Sequence, residues 1–318
     1  MSIDFTVAIP TYNGALRISG VIERLRSQQY PPSLSWEILV VDNNSSDQTE
    51  SLVRSLQASW TLPVPLRYCF EPQQGLAFAR QRAIDESQGR YVGFLDDDNF
   101  PAPDWVVAAF EFGESHQTIG AMGGQVHPLY ETPPPDDFEK IKAFLVVRKH
   151  GTAPKRYEPE KLRLPAGAGL VVRKQAWLES VPRRFIRTSR GGNDYEISLH
   201  MHKAGWEIWY NPTMNIEHYI PAWRLERPYL LSIAHLYGLC TCELRMIPAT
   251  SWQRPILLAR TLAGSSKRIL IHLIKYRGKI RTDLGLACEL AFFWGNLLSP
   301  FFYLKNSVQR RFAKPAKT

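Results

Sequence analysis

Short apolar runs alternate with amphipathic stretches over the first hundred residues, and this alternation restricts the folds open to the chain. The runs occupy residues 7–9, 37–41, 66–70 and 91–95. Between the first two runs, apolar residues recur from Ile18 to Leu25 at the spacing of one helical face. Strand followed by helix, repeated, is typical of a parallel sheet with helices packed on its faces. The sequence therefore predicts an α/β fold.

Polar clusters follow three of these four runs, at the points where the strands would end. They are residues 11–13, 42–47 and 96–98. Because ligands bind outside the carboxyl ends of the strands in such sheets, the clusters indicate the binding edge. Asp, Asn and Ser also form turns and helix caps, which explains residues 45–49 without any ligand.

The run Asp96-Asp97-Asp98 is the part of this edge that turn chemistry does not explain. A turn needs one carboxylate, whereas three adjacent carboxylates repel each other and raise one another's pKa. A divalent cation would offset the repulsion, and oxygen ligands suit Mg²⁺ or Mn²⁺. The glycine-rich phosphate loops are absent from the sequence, since Gly14 alone follows the first run. We therefore expect a metal, rather than a glycine loop, to hold a diphosphate.

Four sequence blocks in this order resemble the family 2 glycosyltransferases of the GT-A fold. They are residues 7–13, 40–47, 75–80 and 94–98. Each block alone is a weak signal, but four in order are highly specific. The resemblance implies a GT-A (nucleotide-diphospho-sugar transferase) fold, with a Rossmann-like mixed sheet, over residues 1–222. A subgroup that serves hormogonium polysaccharide synthesis in cyanobacteria is also similar to this chain.

The resemblance implies a site for a nucleotide-sugar donor. Its matching residues are Pro10, Thr11, Asn13, Asp42, Gly75, Arg80, Asp96 and Asp97. The first three would lie against the nucleotide, partly through their backbone, and Asp42 would accept a hydrogen bond from the base. Arg80 would lie near the base or the phosphates, where a planar cation makes charge-assisted bonds. Asp96 or Asp97 would contact the ribose.

The same resemblance implies that Asp98 and His218 ligate the metal, which is Mg²⁺ or Mn²⁺. A lone His after a strand is more often structural, but the imidazole is a sound ligand for Mn²⁺. The cation would bridge the two phosphates of the donor and stabilise the leaving diphosphate as negative charge builds.

Residues 191–196 are predicted to open a helix where the family usually has Glu-Asp. Asn193 replaces the glutamate here, and the departure bears on how the acceptor hydroxyl is oriented. Asp194 keeps the second acid and is expected to act as the base in a single displacement with inversion. Two alternatives remain at this point: Asp194 as a plain N-cap, and Glu196 as the base.

The middle of the chain gives weaker signals. Gly123-Gly124 predicts either a tight turn or close approach of the backbone to a ligand. Residues 128–165 are rich in proline and charge, and we expect an irregular insertion over the active site that carries acceptor contacts or a lid. In the resemblance, the small residues 165–169 line the donor sugar.

Positive charge is concentrated at the C-terminal end. The chain has a net charge of +9, but residues 221–318 contain 16 basic and 4 acidic residues. Residues 284–304 are mostly apolar and nearly long enough to span a membrane, although Glu289 interrupts them. We expect residues 223–318 to form a basic, apolar helical extension with peripheral membrane contact through 250–318. A soluble packed or dimerising helix pair and a true span are the alternatives.

The expected function is glycosyl transfer to a saccharide or lipid-linked acceptor in polysaccharide or glycolipid biosynthesis. The expected location is the cytoplasm or the cytoplasmic face of the inner membrane, because the four cysteines are scattered and the first residues lack a signal-peptide pattern. No nucleic-acid recognition motif accompanies the basic tail. The alternatives are a sugar-phosphate nucleotidyltransferase, which normally needs a glycine-rich N-terminal loop, and a non-catalytic nucleotide-sugar-binding protein.

Overall fold

The computed structural model describes residues 3–135, 138–183 and 191–312. The chain divides into two compact units. The first comprises Met1–Glu131 and Val146–Ile220, and the second comprises Thr132–Leu145 and Pro221–Thr318. The proline-rich segment that was expected to form one insertion is therefore shared between the two units.

The strands of the described ranges form one sheet in the first unit. They are β1 (Phe5–Thr11), β2 (Trp36–Asp42), β3 (Leu66–Phe70), β4 (Tyr91–Phe94), β5 (Asn99–Pro101), β6 (Ile119–Tyr130), β7 (Lys155–Arg156), β8 (Val171–Arg173) and β9 (Glu207–Ile220). Their spatial order is β3-β2-β1-β4-β8-β6-β9-β5, and β7 pairs with β9. The first four strands pair in parallel, whereas β5, β7 and β8 are antiparallel to their neighbours. The predicted mixed α/β sheet is confirmed.

Helices connect these strands and form most of the second unit. The first unit contains α1 (Ile18–Arg26), α2 (Thr49–Ala58), α3 (Leu76–Glu86), α4 (Trp105–Ser115), α6 (Lys174–Ser180) and α7 (Asn193–Lys203). The second contains α5 (Phe138–Ile141), α8 (Arg227–Met246), α9 (Gln253–Tyr276), α10 (Lys279–Thr282) and α11 (Leu284–Phe312). The apolar face of α1 is buried at the predicted positions.

The central strands place the polar clusters at one edge. Every residue of β1 and β2 is buried, as expected for parallel strands that are covered on both faces. The two strands pair in register, with Thr11 opposite Asp42, so the loops that follow them emerge side by side. The Phe5 and Trp105 rings pack edge to face beneath them, with centroids 5.9 Å apart.

Gly123 and Gly124 lie inside β6, so the tight-turn alternative is wrong. A Cβ added at Gly124 would lie 1.8 Å from the carbonyl oxygen of Met214 on β9. The glycine therefore permits close approach of two strands rather than of a ligand. The pairing of β6 with β9 also shifts register between Gly123 and Gln125, which marks a bulge.

Candidate functional site

The loops after β1 and β2 are held together by Asn13. Its backbone is left-handed, with a φ of 49°, a conformation that asparagine tolerates better than most residues. The Asn13 N–H donates to Ser45 Oγ at 2.9 Å, and Asn13 Oδ1 accepts from the Ser46 N–H at 2.8 Å. Asn13 thus shapes the rim of the predicted donor pocket, beside the buried Pro10 and Thr11.

Asp42 is buried at the end of β2, and both of its carboxylate oxygens have internal partners. Oδ1 accepts from the Ser45 N–H at 2.9 Å, and Oδ2 accepts from the Tyr68 hydroxyl at 2.9 Å. Burial and the hydrogen bond to Asp42 raise the pKa of Tyr68. The nucleobase of a bound donor would donate to the remaining lone pairs of the Asp42 carboxylate, which Ser45 and Tyr68 already hold in place.

Asn43, the next residue, was not predicted to have a role of its own. Its Nδ2 donates to the Gln73 carbonyl at 2.7 Å, and its Oδ1 accepts from the Gly75 N–H at 2.7 Å. Gly75 has a φ of 138°, which side-chain-bearing residues rarely adopt, and it immediately precedes α3. Asn43 and Gly75 together set the start of the helix that carries Arg80. The signal for Asn43 was its place in the polar run after a buried strand.

Asp97 is engaged by two side chains. Thr11 Oγ1 donates to Oδ2 at 2.7 Å, and the Arg17 guanidinium makes two bonds, from Nε to Oδ1 at 2.9 Å and from Nη2 to Oδ2 at 3.0 Å. Arg17 was not among the residues predicted to line the site. It occupies the N-cap position of α1, where a cation opposes the helix dipole, and that unfavourable placement was the available signal.

Strand pairing brings Asp98 and His218 together. Strand β5 pairs antiparallel with β9, with Asn99 opposite His218, and the Tyr219 N–H donates to the Asp98 carbonyl at 2.9 Å. As a result, Asp98 Oδ2 lies 3.6 Å from His218 Nε2, and both side chains are buried. Asn99 Nδ2 donates to Asp98 Oδ1 at 2.9 Å and fixes the carboxylate.

The acidic cluster fits a divalent cation by its donor atoms and its charge. Burial raises the pKa of Asp96 to about 6, Arg80 opposes this, and the neighbouring charges of Asp98 and Asp97 add to it. A cation beside these carboxylates would offset their repulsion. Within residues 3–135, 138–183 and 191–308, no three His, Cys, Asp or Glu side chains surround a common point. Asp98 and His218 are the side chains of this site that would hold a cation.

Arg80 links the acidic cluster to the start of α7. Its side chain is 2% exposed, its guanidinium lies 5.5 Å from the centroid of the Phe94 ring, and Nη1 donates to Asn193 Oδ1 at 3.1 Å. A Cβ added at Gly167 would lie 2.6 Å from Arg80 Nη2 and 3.5 Å from Asp194 Cβ. The absence of a side chain at Gly167 therefore leaves room for Arg80, with Asp194 nearby on the same side of the backbone.

Asp194 lies in the first turn of α7, where its side chain is partly exposed. The N-cap is Gly192, and among the described residues no side-chain hydrogen bond caps this helix. The N-cap alternative for Asp194 is therefore wrong. Glu196 is fully buried, so the more exposed carboxylate of Asp194 is the better placed of the two to meet an acceptor.

A model of one protein family, described as glycosyl transferase family 2, matches residues 6–177, which is more than half of the chain. The chain belongs to glycosyl transferase family 2. It is therefore an enzyme, a glycosyltransferase of the GT-A fold. The matched region contains the acidic run but ends before Asp194 and His218, so the family match does not bear on those two residues.

Known proteins agree with the family 2 assignment. The glycosyltransferase AglE of Haloferax volcanii is 36% identical over 126 residues, which are 39% of this chain and 40% of AglE. The Escherichia coli protein WfgD, named a UDP-Glc:alpha-D-GlcNAc-diphosphoundecaprenol beta-1,3-glucosyltransferase, is 33% identical over 34% of this chain and 39% of its own length. This family 2 chain thus spans about two fifths of these curated relatives.

Among solved structures, the mannosyltransferase PcManGT from Pyrobaculum calidifontis, in complex with GDP-Man and Mn²⁺, shares the fold. The TM-score is 0.59 with 20% sequence identity, and the match covers 99% of this chain and 89% of PcManGT.

Replacing Asn193 by Leu should weaken this glycosyltransferase. The change would leave Arg80 Nη1 buried without its acceptor, which costs about 1–3 kcal/mol of folding stability. Because Arg80 would then be less firmly held, we also expect kcat/KM to fall about tenfold, which is about 1.4 kcal/mol. Asn193→Asp, which keeps an acceptor oxygen, is the matched control and should lose less. Steady-state kinetics and urea unfolding would be measured together. An Asn193→Leu enzyme that is less stable but has an unchanged kcat/KM would contradict a role in the site.

Proposed function

We propose that this chain transfers a sugar from a nucleotide-diphospho-sugar to an acceptor hydroxyl, with inversion and with dependence on a divalent cation. The observation that carries the proposal is the pairing of β5 with β9, which joins Asp98 to His218 next to the carboxylates of Asp96 and Asp97. Asp194 lies in the first turn of α7, and Gly167 lies close to both Asp194 and Arg80. The acidic cluster suits a site for the donor diphosphate and its cation. The separate, partly exposed carboxylate of Asp194 suits a general base.

In the proposed reaction, Asp194 takes the proton from the acceptor hydroxyl while the acceptor oxygen attacks the anomeric carbon. The bond between that carbon and the diphosphate oxygen breaks, and the nucleoside diphosphate leaves with both electrons. Arg80 supplies a fixed positive charge beside the acidic cluster, in a buried site where its field is screened little. Asp98 and His218 would hold the cation, whose chemistry when bound is to neutralise charge on the leaving diphosphate.

Relatives support the donor and acceptor classes. PcManGT was solved with GDP-Man and Mn²⁺, and the name of WfgD gives UDP-Glc as donor and a sugar on diphosphoundecaprenol as acceptor. We infer a saccharide or lipid-diphosphate-linked acceptor for this chain, used in polysaccharide or glycolipid synthesis. The matching location is the cytoplasmic face of a membrane, with peripheral contact through residues 250–318.

A donor panel tests the proposal. The full chain would be incubated with UDP-Glc, UDP-GlcNAc or GDP-Man and a polyprenyl-diphosphate-linked sugar, and release of nucleoside diphosphate would be measured. We expect release with one donor, stimulation by the acceptor, loss with EDTA and recovery with Mn²⁺, and NMR of the product should show an inverted anomeric centre. Pyrophosphate formation from a nucleoside triphosphate and a sugar phosphate would instead indicate a nucleotidyltransferase. No nucleotide binding by calorimetry would indicate a non-catalytic protein.

A further inference from the structure

From Trp294 onward, helix α11 has its large apolar residues on the outside. The exposed side carries large apolar side chains, each between 43% and 59% exposed: Trp294, Leu298, Phe301, Leu304 and Val308. Along the same stretch, the buried side carries the small or polar residues Gly295, Asn296, Ser299 and Pro300. The buried apolar residues Leu286, Ala287 and Cys288 lie in the first turns of α11. Helical spacing places the two sets on opposite faces. This polarity is the reverse of that expected for a surface helix of a water-soluble protein.

Helix α9 shows the same reversal. Its buried residues are Thr261, Ser265, Ile269 and His272. Its exposed apolar residues are Ile256, Leu270, Ile271, Leu273 and Ile274, which are 42% to 61% exposed. The helix also carries five basic and no acidic residues. Its outward surface is therefore both apolar and cationic.

Close packing of α8 on α11 keeps this apolar face outward. A Cβ added at Gly238 would lie 2.1 Å from the Phe292 carbonyl oxygen, and one at Gly295 would lie 2.0 Å from the His235 carbonyl oxygen. Rotation of α11 to bury its apolar stripe would drive larger side chains into these contacts. Small residues that allow helix backbones to approach closely are characteristic of helices packed in lipid.

Polar contacts inside the unit have the same effect. Asn306 Nδ2 donates to Glu243 Oε1 at 3.0 Å, and His272 Nε2 lies 3.0 Å from the Leu286 carbonyl oxygen. Turning either helix would break these contacts and leave buried polar groups unsatisfied, which costs free energy. The outward apolar stripes are thus the stable arrangement of this helical unit.

We propose that these two stripes dock on an anionic lipid bilayer, with α11 at the boundary between headgroups and acyl chains and the basic residues of α9 at the headgroups. The inference rests on the proposed membrane contact and names its surface and lipid charge. Residues Leu284–Val308 are long and apolar enough to cross a bilayer. Since the opposite side of α11 packs on α8, however, the helix offers one face to lipid, as an interfacial helix does.

Vesicle binding by the full-length chain tests the proposal. We expect co-sedimentation with vesicles of phosphatidylcholine and phosphatidylglycerol, and weaker binding to phosphatidylcholine alone, because anionic headgroups attract the cations of α9. The double variant Leu298→Ser/Phe301→Ser should bind about tenfold more weakly or worse. Leu178→Ser is the matched control, since Leu178 lies in the first unit and is 58% exposed, against 59% for Phe301. A Lys267→Glu/Lys275→Glu variant should lose its preference for anionic vesicles.

Three results would overturn the proposal. They are no vesicle binding by the wild type, equal loss with Leu178→Ser, and a lipid-free dimer in light scattering that the double variant converts to monomer without any effect on vesicle binding. The last would assign the face to a second copy of the chain. Nucleoside diphosphate release with a water-soluble acceptor would be measured in parallel. Failure of the proposed function would abolish release in every variant, whereas failure of the docking surface would leave release intact.

Discussion

Asp194→Asn should abolish sugar transfer while leaving donor binding nearly unchanged. The amide occupies the same space in the first turn of α7 but cannot take the proton from the hydroxyl of the acceptor. Loss of a general base lowers kcat by about 10²–10⁴-fold. Because Asp194 faces the acceptor in the proposed reaction, the dissociation constant of the nucleotide, measured by calorimetry, should change little.

Glu196→Gln provides the comparison for Asp194→Asn. It removes another carboxylate of the same helix, but Glu196 is fully buried, whereas Asp194 is partly exposed. We expect its kcat to remain within a few-fold of the wild type, provided that circular dichroism shows a folded chain. Loss of transfer in Glu196→Gln together with full activity in Asp194→Asn would reverse the assignment of the base.

Asp98→Asn should weaken both cation binding and transfer. The substitution keeps the shape beside Asn99 but removes the charge that lies 3.6 Å from His218. Losing about 3 kcal/mol of charge stabilisation corresponds to a fall in transfer of about a hundredfold. Titration of Mn²⁺ in the presence of nucleoside diphosphate should show the weaker affinity directly, without reliance on turnover.

Asp104→Asn is the control for Asp98→Asn. Asp104 is an exposed acid that follows the same acidic loop and precedes α4, and it should leave Mn²⁺ affinity and transfer unchanged. If Asp98→Asn bound Mn²⁺ as tightly as the wild type does, the cation would not be held by Asp98.

The parts of this fold that sequence predicts well are local. Apolar spacing located α1 and the buried strands β1 and β2, because periodicity reports which face of an element is covered. The polar loops at the strand ends follow from the same pattern. The family match confirms the resemblance that suggested a glycosyltransferase.

The contacts that complete the site are not local. His218 meets Asp98 only because β9 returns antiparallel to β5, and no spacing along the chain encodes that pairing. The bond from Arg17 to Asp97 likewise joins two loops from separate strands. Sequence periodicity shows that α11 has an apolar face and a small or polar face, but it does not show which of the two is buried. The contact of Gly295 with the backbone of α8 shows that the small or polar face is the buried one.

The pairing of β9 limits how this chain can change length in evolution. Side chains alternate between the faces of a sheet, so insertion or deletion of one residue just before His218 would turn the imidazole to the opposite face. The bulge between β6 and β9 interrupts regular pairing between Tyr210 and Asn215, ahead of His218. Residues inserted or deleted at the bulge would leave the pairing of His218 with Asn99 in place. Related chains should therefore accumulate their insertions there and keep a constant spacing from Asn215 to His218.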